Sequence, residues 1–270
     1  MILSIITVNL NNCKGLKRTI ESVISQVFTD YEWIVIDGGS TDGSYELIKQ
    51  YDDYFSYWCS EPDKGIYNAM NKGIAHARGK YLQFLNSGDY LLNPNVLSII
   101  FQQNHTSDII YGNAIVEIDK KEYKRTYPQE LSLTYLINYP INHQASYYKR
   151  SLYDDRLFDE NHIIVSDYLF LIESAIHGAS FEYVDLFIVF SEGNGISSTK
   201  MGIDESHGLN KLLPELIQRD IDYISHIKKH ESFVNSHKLL KTIYKFTNII
   251  NLWAEKIIIL LEKRKKHNKD

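Results

Sequence analysis

Trp33-Ile34-Val35-Ile36-Asp37-Gly38-Gly39-Ser40-Thr41-Asp42-Gly43 decides how the chain is read. Trp33–Ile36 is a short apolar run of the kind that makes a strand buried on both faces. The polar, glycine-containing turn that begins at Asp37 stops it, and Tyr45–Tyr51 reads as the helix that follows. Paired glycines let a backbone come close to a ligand, and the Asp37 carboxylate can accept from an N–H on a nucleobase edge. The same residues also make a plain turn feeding the helix, with Asp42 as its N-cap.

Working outward, strand-like and helix-like segments alternate. Ile2–Val8 is apolar, and Lys17–Val27 carries helical spacing through Ile20, Val23, Ile24 and Val27. Phe55–Cys59 reads as a strand, Tyr67–Ala77 as a helix and Lys80–Leu85 as a strand. This alternation implies an α/β, Rossmann-like, mixed but mostly parallel sheet flanked by helices. Ligands of such sheets sit beyond the carboxyl ends of the strands. The polar groups cluster there: Asn9, Asp37, Glu61-Pro62-Asp63 and Asn86–Asp89. Farther on, Ile109–Tyr111, Ala114–Ile118 and Glu122–Tyr127 read as strands separated by turns. Tyr168–Ile176 reads as a helix, Phe181–Phe190 as strand and Ser191–Ser206 as a polar loop. From Gly208 the chain reads as a helical extension.

Composition narrows the function classes. The chain has 270 residues, 44% of them hydrophobic and 23% charged, which is ordinary for a globular protein. Its two cysteines, Cys13 and Cys59, make no disulfide framework, so a reducing, cytoplasmic compartment is expected. Neither a secretory leader nor a run of 18 apolar residues is expected. The formal net charge is −5, yet residues from Ser225 onward hold 11 Lys/Arg and 4 Asp/Glu, or +7, which leaves −12 elsewhere. An acidic body with a basic tail argues against nucleic-acid binding and suggests that the tail meets an anionic surface. The dinucleotide glycine fingerprint, the G-x-S-x-G elbow and the H-E-x-x-H zinc motif do not occur.

Each strand-end group keeps two readings. Lys64 and Arg78 could face a diphosphate or stand as solvated surface charges. Asn86-Ser87-Gly88-Asp89 could present Asp89 to Mg²⁺ or Mn²⁺, or form a type I turn. Asn142-His143-Gln144-Ala145 is a polar cluster in an apolar setting, where His143 could contact an acceptor or a diphosphate, or be a satisfied structural histidine.

Ser4–Asn9, Glu32–Ser44, Glu61–Gly73, Arg78–Tyr81 and Asn86–Asp89 together resemble an inverting family 2 glycosyltransferase of the GT-A fold. The flavour is that of bacterial enzymes that build capsule, exopolysaccharide or lipopolysaccharide. The resemblance is close over Ile2–Asp89 and thins towards Ser198. It implies a nucleotide-sugar donor, a UDP-sugar above all, and a glycan or lipid-linked acceptor. Thr7, Asn9, Asp37 and Asp63 would hold base and ribose, with Gly38, Lys64, Arg78, Ser87 and Gly88 completing the donor site. Asp89 would match the last acid of the metal-binding D-x-D motif, although Asn86, Ser87 and Gly88 precede it. Asp167, after Ser166 in place of the usual glutamate, would be the general base, kept ionised by the helix N-terminus. Gly195 and Ser197 would lie near the donor phosphates. The expected division is residues 1–205 as the catalytic domain, 1–90 for the donor and 91–205 for the acceptor, with 206–270 as the helical region.

In that last region Leu239, Ile243, Phe246, Ile250, Trp253, Ile257 and Leu260 form a helical seam flanked by lysines. A basic amphipathic helix over 238–266 suits peripheral contact with an anionic membrane. Packing on the domain and homo-oligomer formation are its rivals. Two other functions are carried: a nucleotide-sugar-binding protein impaired in catalysis, and a sugar nucleotidyltransferase, which normally wants a glycine-rich phosphate loop near the start.

Overall fold

The computed structural model describes residues 1–193. The segments placed by alternation are present with shifted ends: β1 (Leu3–Asn9), α1 (Cys13–Ile24), β2 (Tyr31–Asp37), α2 (Ser44–Gln50), β3 (Tyr57–Ser60), α3 (Ile66–His76) and β4 (Tyr81–Phe84). There follow β5 (Tyr90–Leu91), α4 (Val96–Ile100), β6 (Ile109–Ile118), β7 (Lys121–Arg125) and α5 (Leu133–Asn138). A 3-10 turn at His143–Ala145 leads into β8 (Ser146–Lys149), and α6 (Ser166–Ile176) and β9 (Phe181–Ser191) complete the described chain.

The sheet runs β3-β2-β1-β4-β8-β6-β9-β5, with β7 on β6. Its first four strands are parallel. β8 then pairs antiparallel with both β4 and β6, so the direction changes in the middle of the sheet. Residues expected to form two strands at 109–111 and 114–118 are one strand, β6, made irregular between Tyr111 and Ala114. A Cβ on Gly112 would stand 2.9 Å from the carbonyl oxygens of Val184 and Leu186, so glycine lets β9 come this close.

Alternation along β1 and β2 sorts side chains to two cores. Leu3, Ile5, Trp33 and Val35 pack with Leu16, Ile20 and Val23 of α1. Ile6, Val8, Ile34 and Ile36 pack on the other face with Tyr67, Met70 and Ile74 of α3 and Phe170 of α6. Both faces are covered, which is why β2 reads as an unbroken apolar run. Leu16, Ile20 and Val23 form one helical stripe, and truncating any of them to alanine costs about 2–5 kcal/mol. Asn12 starts α1 by accepting from the Gly15 N–H at 3.1 Å.

Asp42 does not cap α2 as expected. Gly43, at φ +95°, holds that place because the chain needs the left-handed conformation there. Asp42 instead accepts from the Ser44 and Cys13 N–H groups, joining the β2–α2 turn to α1.

Candidate active site

Register puts Asn9 opposite Asp37 and Asp37 opposite Ser60, so the carboxyl ends of β1, β2 and β3 form one rim. Asp37 is fully buried there and receives Asn9 Nδ2 (2.6 Å), Ser40 Oγ (2.6 Å), the Ser40 N–H (2.9 Å) and Ser60 Oγ (2.6 Å). Burial pushes its carboxyl up, but the Ser40, Ser60 and Asn9 donors outweigh that and hold it below the usual range. Its oxygens are therefore spent on the protein, and Asp37 shapes the rim. The Thr7 hydroxyl is buried and accepts from Trp33 Nε1 at 3.0 Å. Asn9 Oδ1, by contrast, is buried on the rim without a partner among the described residues.

Asp63 takes the place in front of Asp37. A Cβ built on Gly38 would stand 2.5 Å from Asp63 Oδ2. Asp63 Oδ1 accepts from the Gly65 N–H at 2.9 Å, which closes the loop before α3. Lys64 is exposed on this same loop.

Arg78 lies at the wrong end for a diphosphate. Its guanidinium pairs with Glu32 at 3.1 Å, and Glu32 stands near the start of β2 with 2% of its side chain exposed. Asp37 lies five positions after Glu32 along β2, roughly 16 Å away. The expectation that Arg78 faces the donor phosphates is corrected: it closes the amino-terminal edge of the sheet.

The turn after β4 is tied down from several sides. The Ser87 N–H donates to the Val8 carbonyl at 3.0 Å, and the Gly88 N–H to Thr19 Oγ1 at 3.0 Å. Asp89, 4% exposed, accepts from the Glu192 N–H at 2.7 Å and from Gln144 Nε2 at 2.9 Å. Burial pushes its carboxyl up to about 6. Gly88 has φ +104°, and a Cβ there would collide with the Glu192 carboxylate, which is held by Arg18 at 2.9 Å. Among the described residues no group of three or more His, Cys, Asp or Glu could hold a metal ion. With both Asp89 oxygens engaged inside the protein, these residues do not fit a divalent cation at Asp89.

Beyond Asp89 the 3-10 turn joins two acids. Gln144 reaches Asp89, while its neighbour His143 places Nδ1 at 2.8 Å from Asp167 Oδ2. Gln83 of β4 fixes the turn by donating to the Gln144 carbonyl at 2.9 Å. Asp167 sits in the first turn of α6, and its Oδ1 receives the Tyr67 hydroxyl at 2.6 Å. Burial raises the Asp167 carboxyl, but His143, Tyr67 and the Tyr168 N–H together bring it below the ordinary carboxylate range. Burial lowers His143, but Asp167 and then Asp89 more than reverse this, so it lies above 6.5. His143 Nε2 is buried and unpartnered among the described residues. Ser166, where the resemblance expects glutamate, accepts from the Asp159 N–H at 2.6 Å.

Tyr67, Gln144, Gln83, Ser40, Ser60 and Glu192 were missed from sequence. Ser40 and Tyr67 lie inside segments that carry the resemblance, and the polar run at 142–145 includes Gln144, but none of these was singled out. Gly195, Ser197 and the 238–266 helix lie outside the described residues.

Comparison with known proteins places this geometry. The sequence model of Glycosyl transferase family 2 matches residues 4–177. An uncharacterized glycosyltransferase of Mycobacterium tuberculosis is 47% identical over 96 residues, 35% of this chain and 37% of the relative. A PGL/p-HBAD biosynthesis glycosyltransferase of Mycobacterium bovis is 28% identical over 156 residues, 56% of this chain and 60% of the relative. The chain thus spans between about a third and three fifths of these relatives. The fold is similar to that of S. aureus TarS 1-349 in complex with UDP-GlcNAc, with TM-score 0.66, 20% identity and coverage of 80% of this chain and 66% of that one. It is also similar to the mannosyltransferase PcManGT from Pyrobaculum calidifontis in complex with GDP-Man and Mn²⁺, with TM-score 0.56, 12% identity and coverage of 93% and 87%. The fold is the GT-A arrangement that the resemblance implied.

Proposed function

We propose, for a chain that belongs to glycosyl transferase family 2, that it moves a sugar from a nucleoside-diphosphate donor to an acceptor hydroxyl with inversion. The observation that carries this reading is a pair of carboxylates at the start of α3, Asp63 on the Gly65 N–H before it and Asp167 on the hydroxyl of Tyr67 in its first turn. Asp63 stands over Gly38 on the β1–β3 rim, with Oδ2 unpartnered among the described residues. Asp167 is held by Tyr67 and His143 beyond β4. In this reading the Asp63 carboxylate and Asn9 Oδ1 accept from the donor's base or ribose, beside Gly38 and Lys64. Ser87 and Gly88 lie under the diphosphate, and the acceptor hydroxyl gives up its proton into the Asp167–His143 site. In-line attack then needs both partners held in one orientation, which the rigid strand ends supply.

A UDP-sugar donor is proposed from the resemblance, supported by the UDP-GlcNAc bound to the similar TarS chain. A glycan or lipid-linked acceptor in surface polysaccharide or glycolipid synthesis is proposed from the relative named for PGL/p-HBAD biosynthesis and from the basic tail. This accords with work at the cytoplasmic face of a membrane through 238–266. Among the described residues no helix is long and apolar enough to cross one. A Mn²⁺ or Mg²⁺ ion bound with a donor would supply positive charge to the leaving diphosphate. No step here passes through it, because Asp89 does not fit as its ligand.

The test is turnover of UDP-sugars, read as UDP release, by wild type and by Asp167→Asn, with UDP affinity measured by calorimetry. Transfer or donor hydrolysis in wild type that is reduced in Asp167→Asn, with UDP binding retained, supports the reading. The absence of an acid at 86–88 favours a second one, a donor-binding protein without catalysis. Binding without transfer or hydrolysis across an acceptor panel would select it.

A further inference from the structure

Asp167 is an unusual proton acceptor. Both its oxygens already receive donors, the Tyr67 hydroxyl at 2.6 Å and His143 Nδ1 at 2.8 Å, and the Tyr168 N–H also points at it. A carboxylate held this way is a weak base, whereas general-base catalysis favours a group that titrates near the working pH. The other end of the same pair differs. His143 Nε2 is buried, and nothing among the described residues donates to it or accepts from it. Buried ring nitrogens are normally partnered, so a bare one in a site points to a ligand. Because Nδ1 faces a carboxylate, the neutral ring carries its proton on Nδ1 and its lone pair on Nε2.

We propose that His143 Nε2 takes the proton of the acceptor hydroxyl, and that Asp167 is the positioning residue that sets the ring's tautomer and orientation. This rests on the transferase reading above. In the step, the O–H proton passes to Nε2 and the oxygen's electron pair forms the new bond to the anomeric carbon. The bond from that carbon to the diphosphate breaks, and its electron pair leaves with the nucleoside diphosphate. His143 becomes an imidazolium whose Nδ1–H stays on Asp167, and it returns its proton to solvent after product leaves.

The charged and titratable groups facing His143 support this assignment. Asp167 comes from α6 with Tyr67 of α3 behind it, and Asp89 comes from the turn before β5. Both acids are anionic partners that stabilise the imidazolium as it forms. The Gln144 amide donates to Asp89 at 2.9 Å and so joins that acid to the turn that carries His143.

The test uses the full chain, UDP-GlcNAc and a panel of UDP-sugars, with water as the default acceptor so that donor hydrolysis is a readout. His143→Gln keeps an amide donor for Asp167, so its folding can be checked by melting temperature. Its kcat should fall by at least about 100-fold with UDP affinity unchanged. His143→Ala should regain activity with added imidazole. The wild-type kcat/KM should fall on the acid side through a single ionisation above pH 6.5, and that limb should be missing in His143→Gln. Asp167→Asn should keep the limb but move it to lower pH, and ¹⁵N spectra of the histidine rings should show the same displacement without any turnover. His143→Gln retaining kcat within threefold while Asp167→Asn is inactive would overturn the proposal and leave the transferase reading intact. A rate that falls as pH rises through the histidine would also overturn it, since the charged ring would then be the active form. If wild type turns over no donor, the transferase reading fails and the proposal with it.

Discussion

The Tyr67 hydroxyl donates to Asp167 Oδ1 over 2.6 Å, tying α3 to α6 across 100 positions of sequence. Tyr67 is otherwise a core residue, its ring 5.5 Å from that of Phe158. Burial of the ring and its bond to Asp167 push the phenol far above its ordinary range, so it is a donor at every working pH. Tyr67→Phe removes that donor with little change of shape. The expected outcome is a loss of about 1.5–3 kcal/mol of stability, the range for a hydrogen bond to a charged group. UDP affinity should be unchanged. Urea unfolding and calorimetry measure the two.

Gly38→Ala should act on the donor site. The new Cβ would fall 2.5 Å from Asp63 Oδ2, and the carboxylate would have to swing aside. An Asp63 displaced from its partner loses about 1.4 kcal/mol or more, so UDP should bind roughly tenfold more weakly. Asp63→Asn should produce a loss of similar size. Equal UDP binding by all three proteins would remove Asp63 from the donor site.

Arg78→Ala should behave in the opposite way. It strips a cation from Glu32, which is 2% exposed and also accepts from Ser4 Oγ at 2.6 Å and the Gly79 N–H at 3.1 Å. Those remaining donors limit the damage to about 1–3 kcal/mol of stability. Donor affinity should not change. Thermal melts and UDP titration of the variant check both halves.

Asp89 should leave a signature in the pH dependence of stability. Its folded carboxyl lies at about 6, above the 3.8 of an exposed aspartate, so the native state holds this proton more tightly than the unfolded chain. Its contribution is therefore complete below pH 3.8 and is lost as pH rises through about 6. A rise of this size corresponds to about 3 kcal/mol. Asp89→Asn should flatten the pH dependence of unfolding free energy between about pH 4 and 6 relative to wild type. Equal slopes for the two proteins would show that Asp89 is not held as described.

Much of the first third was legible because local rules and the tertiary outcome agree there. Val35 and Ile36 are apolar because both faces of β2 are covered, and the Asp-Gly-Gly turn had to end the strand where it does. Asp37 and Thr7 lie at the strand ends where they were placed, and the fold gives both of them partners within the protein. Ser40 is within local reach of Asp37, but nothing local reveals that Ser60 also donates to the carboxylate or that Trp33 takes the Thr7 hydroxyl. β8 was missed for a related reason: four residues are too few to show a period, and they pair with β4 and β6 from far away. Arg78 shows the limit most clearly. A basic residue after a helix looks the same at either edge of a sheet until Glu32 is found beside it.

By itself the sequence determined the alternating α/β pattern, the rim of polar residues at the strand ends and the family resemblance, because each depends on neighbours in the chain. Tertiary structure alone decided which acids are free to act. Asp89 is engaged by Gln144 and Glu192, Asp167 by His143 and Tyr67, and Asp63 stands over Gly38, each across a long stretch of chain. A carboxylate's chemistry is set by the donors and the dielectric around it, and only the fold brings those together.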